Sequence, residues 1–193
     1  VRCERICRIA FHAAKNTAMT PCEITDAGWT LRSTRASEFD EVMTWFPVAE
    51  SVDIWGGPLF RYPFSRATFL EDCHVVIMVS FSLLDPGGTL AAFGQLYDRP
   101  GRGHLARLIS KPVLRRLGAG RRLIEMMIEA IRRDDGYSEA SLFVYRDNVP
   151  ARECYLSLGF SIAEYPDDAP LEERCYFLTR PLEVTTGSSS QSQ

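Results

Sequence analysis

The chain has 193 residues, with 22 Lys+Arg against 25 Asp+Glu and a formal net charge of −3. Apolar residues at 46% and charged residues at 24% describe an ordinary soluble globular chain of one domain or slightly more. The acidic balance argues against general nucleic-acid binding, and no apolar run reaches the ~18 residues of a membrane span.

The start is unlike the rest. Arg2, Arg5, Arg8 and Lys15 stand among few acids, and Met19 precedes the first β pattern. Residues 1–28 are expected to be a poorly ordered extension, with a targeting or interaction segment and a plain N-terminal helix as rivals. Cys3, Cys7 and His12 match no zinc spacing, so no metal site is expected. The six cysteines are scattered, and a chain this long builds a core without staples, so no disulfide framework is expected either. The folded domain is expected over 29–183, and the Ser/Gln-rich stretch 184–193 reads as a disordered tail.

Trp29–Thr34 alternates apolar and polar residues as a half-buried strand does. Ser37–Phe46 places Phe39, Val42, Met43 and Phe46 at helical spacing, and Pro47 stops it. Asp53–Tyr62 reads as a Gly/Pro-rich loop with exposed aromatics, followed by a short helix over Ser65–Asp72. His74–Leu84 is an apolar, β-branched strand, ended by the turn Asp85-Pro86-Gly87-Gly88. Leu90–Tyr97 and His104–Ser110 complete an antiparallel meander. Gly118–Asp134 then carries one apolar stripe of Leu123, Ile124, Met127, Ile128 and Ile131, with Gly136 as the stop. A strand over Ser141–Tyr145, a helix over Val149–Leu158 and two late strands, Phe160–Tyr165 and Cys175–Thr179, follow. This order predicts an α+β fold, a mixed sheet covered by helices.

The junction between Ser110 and Arg122 carries the first chemistry. Leu117, Gly118, Ala119, Gly120 and Arg121 lead into the long helix, behind Arg115 and Arg116. Glycines let a backbone approach a ligand, and a helix N-terminus offers unpaired N–H groups and a positive dipole end. These are the parts of a pyrophosphate cradle. It is neither a Walker loop nor a dinucleotide fingerprint, because the Gly-Lys-Ser/Thr and the third glycine are lacking. Two glycines at a tight strand–helix turn remain the plain alternative.

A second pattern lies roughly thirty residues on: Asn148, Ala151, Tyr155, Gly159 and Phe160 spell NxxAxxxYxxxGF. Asn148 suits an N-cap, with Pro150 in the first turn. RxxGxG at one helix start, then this pattern after a strand, resembles the GNAT superfamily of acyl-CoA-dependent N-acetyltransferases. The resemblance covers about residues 29–180. It implies a mixed, mostly antiparallel sheet flanked by helices on both faces. It also implies transfer of acetyl from acetyl-CoA to a primary amine of a small molecule or a peptide N-terminus, by direct attack in a ternary complex.

By that resemblance Leu108, Ile109 and Ser110 run along the pantetheine arm, residues Arg115 to Arg121 hold the pyrophosphate, and Asn148 contacts the cofactor arm. Tyr155 matches the tyrosine that protonates the departing thiolate; an aromatic packing a helix on the sheet is the alternative. Many relatives place a glutamate in the strand 141–145, where this chain has Phe143. Others place the base near the start of the preceding strand, which gives His104, with a strand-edge histidine as the rival reading. Glu139, Asp98, Tyr97 and a water relay are further options. Trp55, Gly56, Gly57, Pro58, Phe60 and Tyr62 fall on the acceptor wall. A cytoplasmic monomer or homodimer without nucleic-acid or membrane partners is expected. A non-catalytic acyl-CoA sensor on the same scaffold is the rival function. A cysteine nucleophile at Cys154 is a third reading without a placed partner.

Overall fold

The order of apolar and turn-forming residues folds, in a computed structural model of the chain, into one sheet with two helical layers; residues 23–134 and 136–182 are described. Cys3, Cys7, His12, Met19 and the Ser/Gln-rich end lie outside the described residues. The strands are β1 (Ile24–Asp26), β2 (Trp29–Ser33), β3 (Val79–Leu84), β4 (Leu90–Arg99), β5 (Arg102–Ser110), β6 (Glu139–Tyr145), β7 (Ser161–Ala163) and β8 (Cys175–Pro181). The helices are α1 (Ala36–Met43), α2 (Ala49–Gly56), α3 (Arg66–Asp72), α4 (Ala119–Arg132) and α5 (Val149–Ser157), with a 3-10 turn over Pro112–Leu114. Strand order is β1-β2-β3-β4-β5-β6-β8-β7, and every neighbouring pair is antiparallel except β5 and β6. The sheet begins at Ile24, inside the segment expected to be an extension, because Ile24 is buried and pairs with Leu31.

One face of the sheet is covered by α4 and α5. The apolar stripe of α4 is buried along its length, and small residues let it sit close to the strands. A Cβ on Gly94 would lie 2.8 Å from both Leu108 Cδ2 and Met127 Sδ, and one on Gly103 would lie 2.6 Å from Ile131. The glycines in β4 and β5 are therefore space for α4.

The other face carries α1, α2 and α3 over an aromatic cluster of Phe39, Phe46, Trp55, Phe60, Phe69 and Phe93. This corrects the expected loop over Asp53–Tyr62. Its first turn is helical, and Trp55 and Phe60 turn inward while Tyr62 stays exposed. Trp55 stacks on Phe69 at 5.7 Å and meets Phe46 at 4.6 Å, while Phe60 is buried. Each such pair adds about 0.5–1.5 kcal/mol beyond area burial, enough to dock a helix with one fully buried apolar residue of its own, Val52. The strand expected from His74 starts only at Val79. His74 takes φ +49, and the N–H groups of Ile77 and Met78 both donate to its carbonyl, so 74–78 is a turn.

Candidate active site

Strands β5 and β6 run side by side only from Arg102/Glu139 to Leu105/Leu142. Beyond that point β5 stays with β4 as far as Ser110, and β6 stays with β8 as far as Tyr145. The sheet thus forks. Residues 106–110 and 143–145 present edges with no strand partner to each other, and an extended ligand can take up such backbone groups as an added strand does. Leu108 sends its side chain to the α4 face and Ile109 to the aromatic face, so both are anchored while their backbone lines the fork. An irregular register between Phe93 and Gln95 bulges β5 there, where Arg107 takes φ +49.

The mouth of the fork leads to the N-terminus of α4. Arg116 and Gly118 both take left-handed backbone, φ 63 and φ 90. Gly118 is the N-cap, and nothing stands within 4 Å of where its Cβ would be. Gly120 lies so close to the end of β5 that a Cβ would sit 2.8 Å from Ser110 Oγ. Among the described residues the N–H groups of Arg116, Gly118, Ala119, Gly120 and Arg121 meet no protein acceptor. Alternating left-handed residues and a free first helical turn make a concave nest of donors, which fits a phosphate group.

The arginines around this nest divide. Arg115 and Arg116 are exposed beside it. Arg121 is tied to Glu125 at 3.0 Å and donates to Ser157 Oγ at 2.9 Å, which links the start of α4 to the end of α5. Arg122 turns away and pairs with Asp26, so its charge belongs to the β1 contact. Leu117 is 70% exposed at the nest. Lys111 pairs with Glu41 at 2.8 Å and fixes the end of β5 to α1.

Across the fork, Asn148 caps α5 by accepting from the Ala151 N–H at 3.4 Å. Tyr155 lies on the face of α5 that packs on the core, with its ring 6.1 Å from Phe160 in an edge contact. Its hydroxyl makes no hydrogen bond among the described residues, and burial holds the phenol well above its ordinary pKa. It is therefore a proton-bearing donor at neutral pH with its bond unspent.

His104 sits below the fork, in the closed stretch opposite Ser141. It is 2% exposed, its Nδ1 shares a 2.9 Å hydrogen bond with Ser141 Oγ, and its ring lies 4.7 Å from Tyr97 and 5.0 Å from Phe143. Burial pushes its pKa down to about 3, helped by the nearby Arg99 charge. His104, read from the sequence as a candidate base, is thus found buried against Ser141 in the closed part of the sheet and not at an exposed strand edge.

Two arginines on the same face went unnoticed in the sequence. Arg99 is 4% exposed, lies over Phe143 at 5.3 Å and Phe177 at 6.0 Å, and pairs with Asp168 at 2.5 Å. Asp168 stands between β7 and β8, so the ion pair straps that segment across the fork face. Arg107 donates to Gln95 Oε1 at 2.9 Å and to the Asp72 carbonyl at 2.8 Å, and its own carbonyl accepts from Trp55 Nε1 at 2.7 Å. That last bond ties α2 to β5. Charged residues inside strands gave the only hint of either role, and their partners lie far off in sequence.

With this geometry established, comparisons with known proteins locate the chain. The family model described as "Acetyltransferase (GNAT) family" matches residues 39–160, more than half of the chain. Among solved structures, the chain resembles AAC(6')-Ib in complex with paromomycin and acetyl-CoA, at TM-score 0.66 and 15% identity, covering 85% of this chain and 99% of that one. It resembles the spermidine N-acetyltransferase of Vibrio cholerae in complex with CoA and spermine at TM-score 0.63 and 16% identity, covering 81% and 96%. The ribosomal-protein-S18-alanine N-acetyltransferase of Escherichia coli matches at TM-score 0.57 and 20% identity, covering 86% and 99%. The fork, the nest of donors at α4 and the matched family model agree, and the chain belongs to the acetyltransferase (GNAT) family, as a GNAT-type acyltransferase with acetyl-CoA as its co-substrate.

Proposed function

We propose that the chain transfers acetyl from acetyl-CoA directly to a primary amine of a small molecule or a peptide N-terminus. The carrying observation is the fork that opens at Leu105/Leu142 onto the free donors of residues 116–121. In this reading the backbone of Leu108, Ile109 and Ser110 pairs with the pantetheine arm. Residues Arg115, Arg116, Leu117, Gly118, Ala119, Gly120 and Arg121 hold the pyrophosphate, with Asn148 at the far arm of the fork.

The neutral amine attacks the thioester carbonyl. An N–C bond forms, the C–S bond breaks, and the thiolate takes a proton from the Tyr155 hydroxyl. A phenol suits this step because it is fully protonated at neutral pH and its hydrogen bond strengthens as charge grows on sulfur. Phe143 stands on β6 where an acid would serve as base, and His104 is buried below the fork, so the amine proton goes to water, and the Tyr155 phenolate takes a proton back from water. His104 keeps a packing role with Ser141. The reading suits a cytoplasmic enzyme, monomeric or homodimeric.

Tyr155→Phe tests the assignment. It should lower kcat about 100-fold, the low end of the usual range for a positioned acid, while CoA affinity changes less than about twofold. An unchanged kcat would return Tyr155 to packing alone.

A further inference from the structure

Arg107 stands just past the point where β5 leaves β6, with left-handed backbone at φ +49. Strand β4 pairs Phe93 with Ile109 and Gln95 with Ala106, so Gly94 alone stands against both Arg107 and Leu108. One extra residue is therefore built into β5. Along a strand, alternate residues turn their N–H and C=O groups to opposite edges. The extra residue thus exchanges which backbone groups of Leu108, Ile109 and Ser110 face the fork and which face β4.

An arginine is a costly choice for this place. Left-handed backbone disfavours a residue with a Cβ, and a buried guanidinium without a carboxylate is expensive. Arg107 makes no ion pair among the described residues, because the Asp72 carboxylate is spent on Arg61, and its Nε is buried without a partner. The surroundings fix the conformation all the same. Nη1 donates to Gln95 Oε1 at 2.9 Å and Nη2 to the Asp72 carbonyl at 2.8 Å. Gln95 is fully buried and is itself held by donating to the Cys73 carbonyl at 2.8 Å and to Ser80 Oγ at 2.9 Å. The Arg107 carbonyl accepts from Trp55 Nε1 at 2.7 Å. One strained residue is therefore clamped between β4, the end of α3 and α2. Packing alone would be served better by an apolar side chain on an unbulged strand, and strain held in place by its surroundings marks function.

We propose that Arg107 is a positioning residue for the acyl transfer. Its guanidinium holds the bulge, and the bulge sets which backbone groups of residues 108–110 meet the pantetheine arm. The Trp55 bond locks that edge to α2, so the thioester and the aromatic wall of the acceptor side stay in register. A displacement of about 1 Å at such a step costs about 100-fold in rate. The proposal rests on the transferase reading, and its test separates the two.

The kinetic arm compares Arg107→Ala with Arg107→Gly. Arg107→Ala should lower kcat about tenfold or more at saturating acetyl-CoA and amine, while the Kd for CoA, held by the nest, changes less than about threefold. Glycine takes left-handed backbone without steric cost, so Arg107→Gly should keep a kcat about fivefold above that of Arg107→Ala. Trp55→Phe keeps a ring but loses the donor. It should lower kcat several-fold alone and add little in the Arg107→Ala background, since both act on one bulge. The structural arm is proton exchange at the Trp55 indole N–H by NMR, with Trp55→Phe assigning the resonance. Exchange should be slow in the unsubstituted protein, faster in Arg107→Gly and fastest in Arg107→Ala. Arg107→Gly and Trp55→Phe carry the test if Arg107→Ala does not fold. A kcat unchanged by any of these substitutions, a glycine variant no better than alanine, or equal losses of kcat and CoA affinity overturns the proposal. If the unsubstituted protein acetylates no amine, the transferase reading fails, and the exchange order alone upholds or overturns the clamp.

Discussion

Acidification from pH 7.5 to 5 should destabilise the fold through His104. An unfolded histidine titrates near 6.5, whereas folded His104 is held down to about 3 by burial, with Arg99 adding to it. Between those values the unfolded chain carries a proton that the folded chain refuses. Stability is therefore full above about pH 6.5 and falls as pH drops toward 3. At pH 5, one and a half pH units below the unfolded value, the loss is about 2 kcal/mol at about 1.36 kcal/mol per unit. Urea unfolding at the two pH values measures it. His104→Gln keeps a hydrogen-bonding group for Ser141 and cannot titrate, so its stability should fall by about 2 kcal/mol less over the same interval. His74, also shifted down by burial, contributes equally to both proteins and cancels. The chain has three histidines, so a proton NMR titration follows His104 directly in the folded state. Equal losses in both proteins, or a His104 resonance titrating near pH 6.5, would refute the sealed, neutral imidazole. The rate profile should correspondingly show no inflection removed by His104→Gln.

Two further substitutions probe the fold and the nest. Gly118→Asp adds a negative charge among the free donors and a side chain at φ 90. It should weaken CoA binding at least tenfold by calorimetry and abolish CoA-induced thermal stabilisation. Unchanged affinity would remove the pyrophosphate from this turn. Gly94→Ala drives a methyl to within 2.8 Å of Leu108 and Met127. It should cost about 1–3 kcal/mol in chemical denaturation, and a neutral result would mean that α4 has room to retreat.

What could be read in the sequence was local. The stripe of α4 and the glycines at 118 and 120 repeat within a few residues, so helix, turn and cradle were all visible. The motif around Asn148 and Tyr155 was legible for the same reason. Helix α2 was not, because Gly56, Gly57 and Pro58 mask its end and its burial comes from rings such as Phe69 and Phe93, which are distant in sequence. His74–Met78 has strand composition, yet one residue at φ +49 converts it into a turn. Arg122 adjoins the nest in sequence, yet its guanidinium pairs with Asp26, 96 residues away, a partner no local pattern reveals. His104 occupied a plausible position along its strand. Its burial depends on Tyr97, Ser141, Phe143 and Phe177, which only the assembled sheet brings together.

Direct transfer from acetyl-CoA to an amine is tested most sharply by initial velocities of thiol release, varied in both substrates, together with the intact mass of the protein after acetyl-CoA alone. Attack within a ternary complex predicts intersecting velocity lines and a protein mass unchanged by acetyl-CoA. Parallel lines with an acetylated protein, for instance at Cys154, would contradict it, and no thiol release with any amine would contradict transfer altogether.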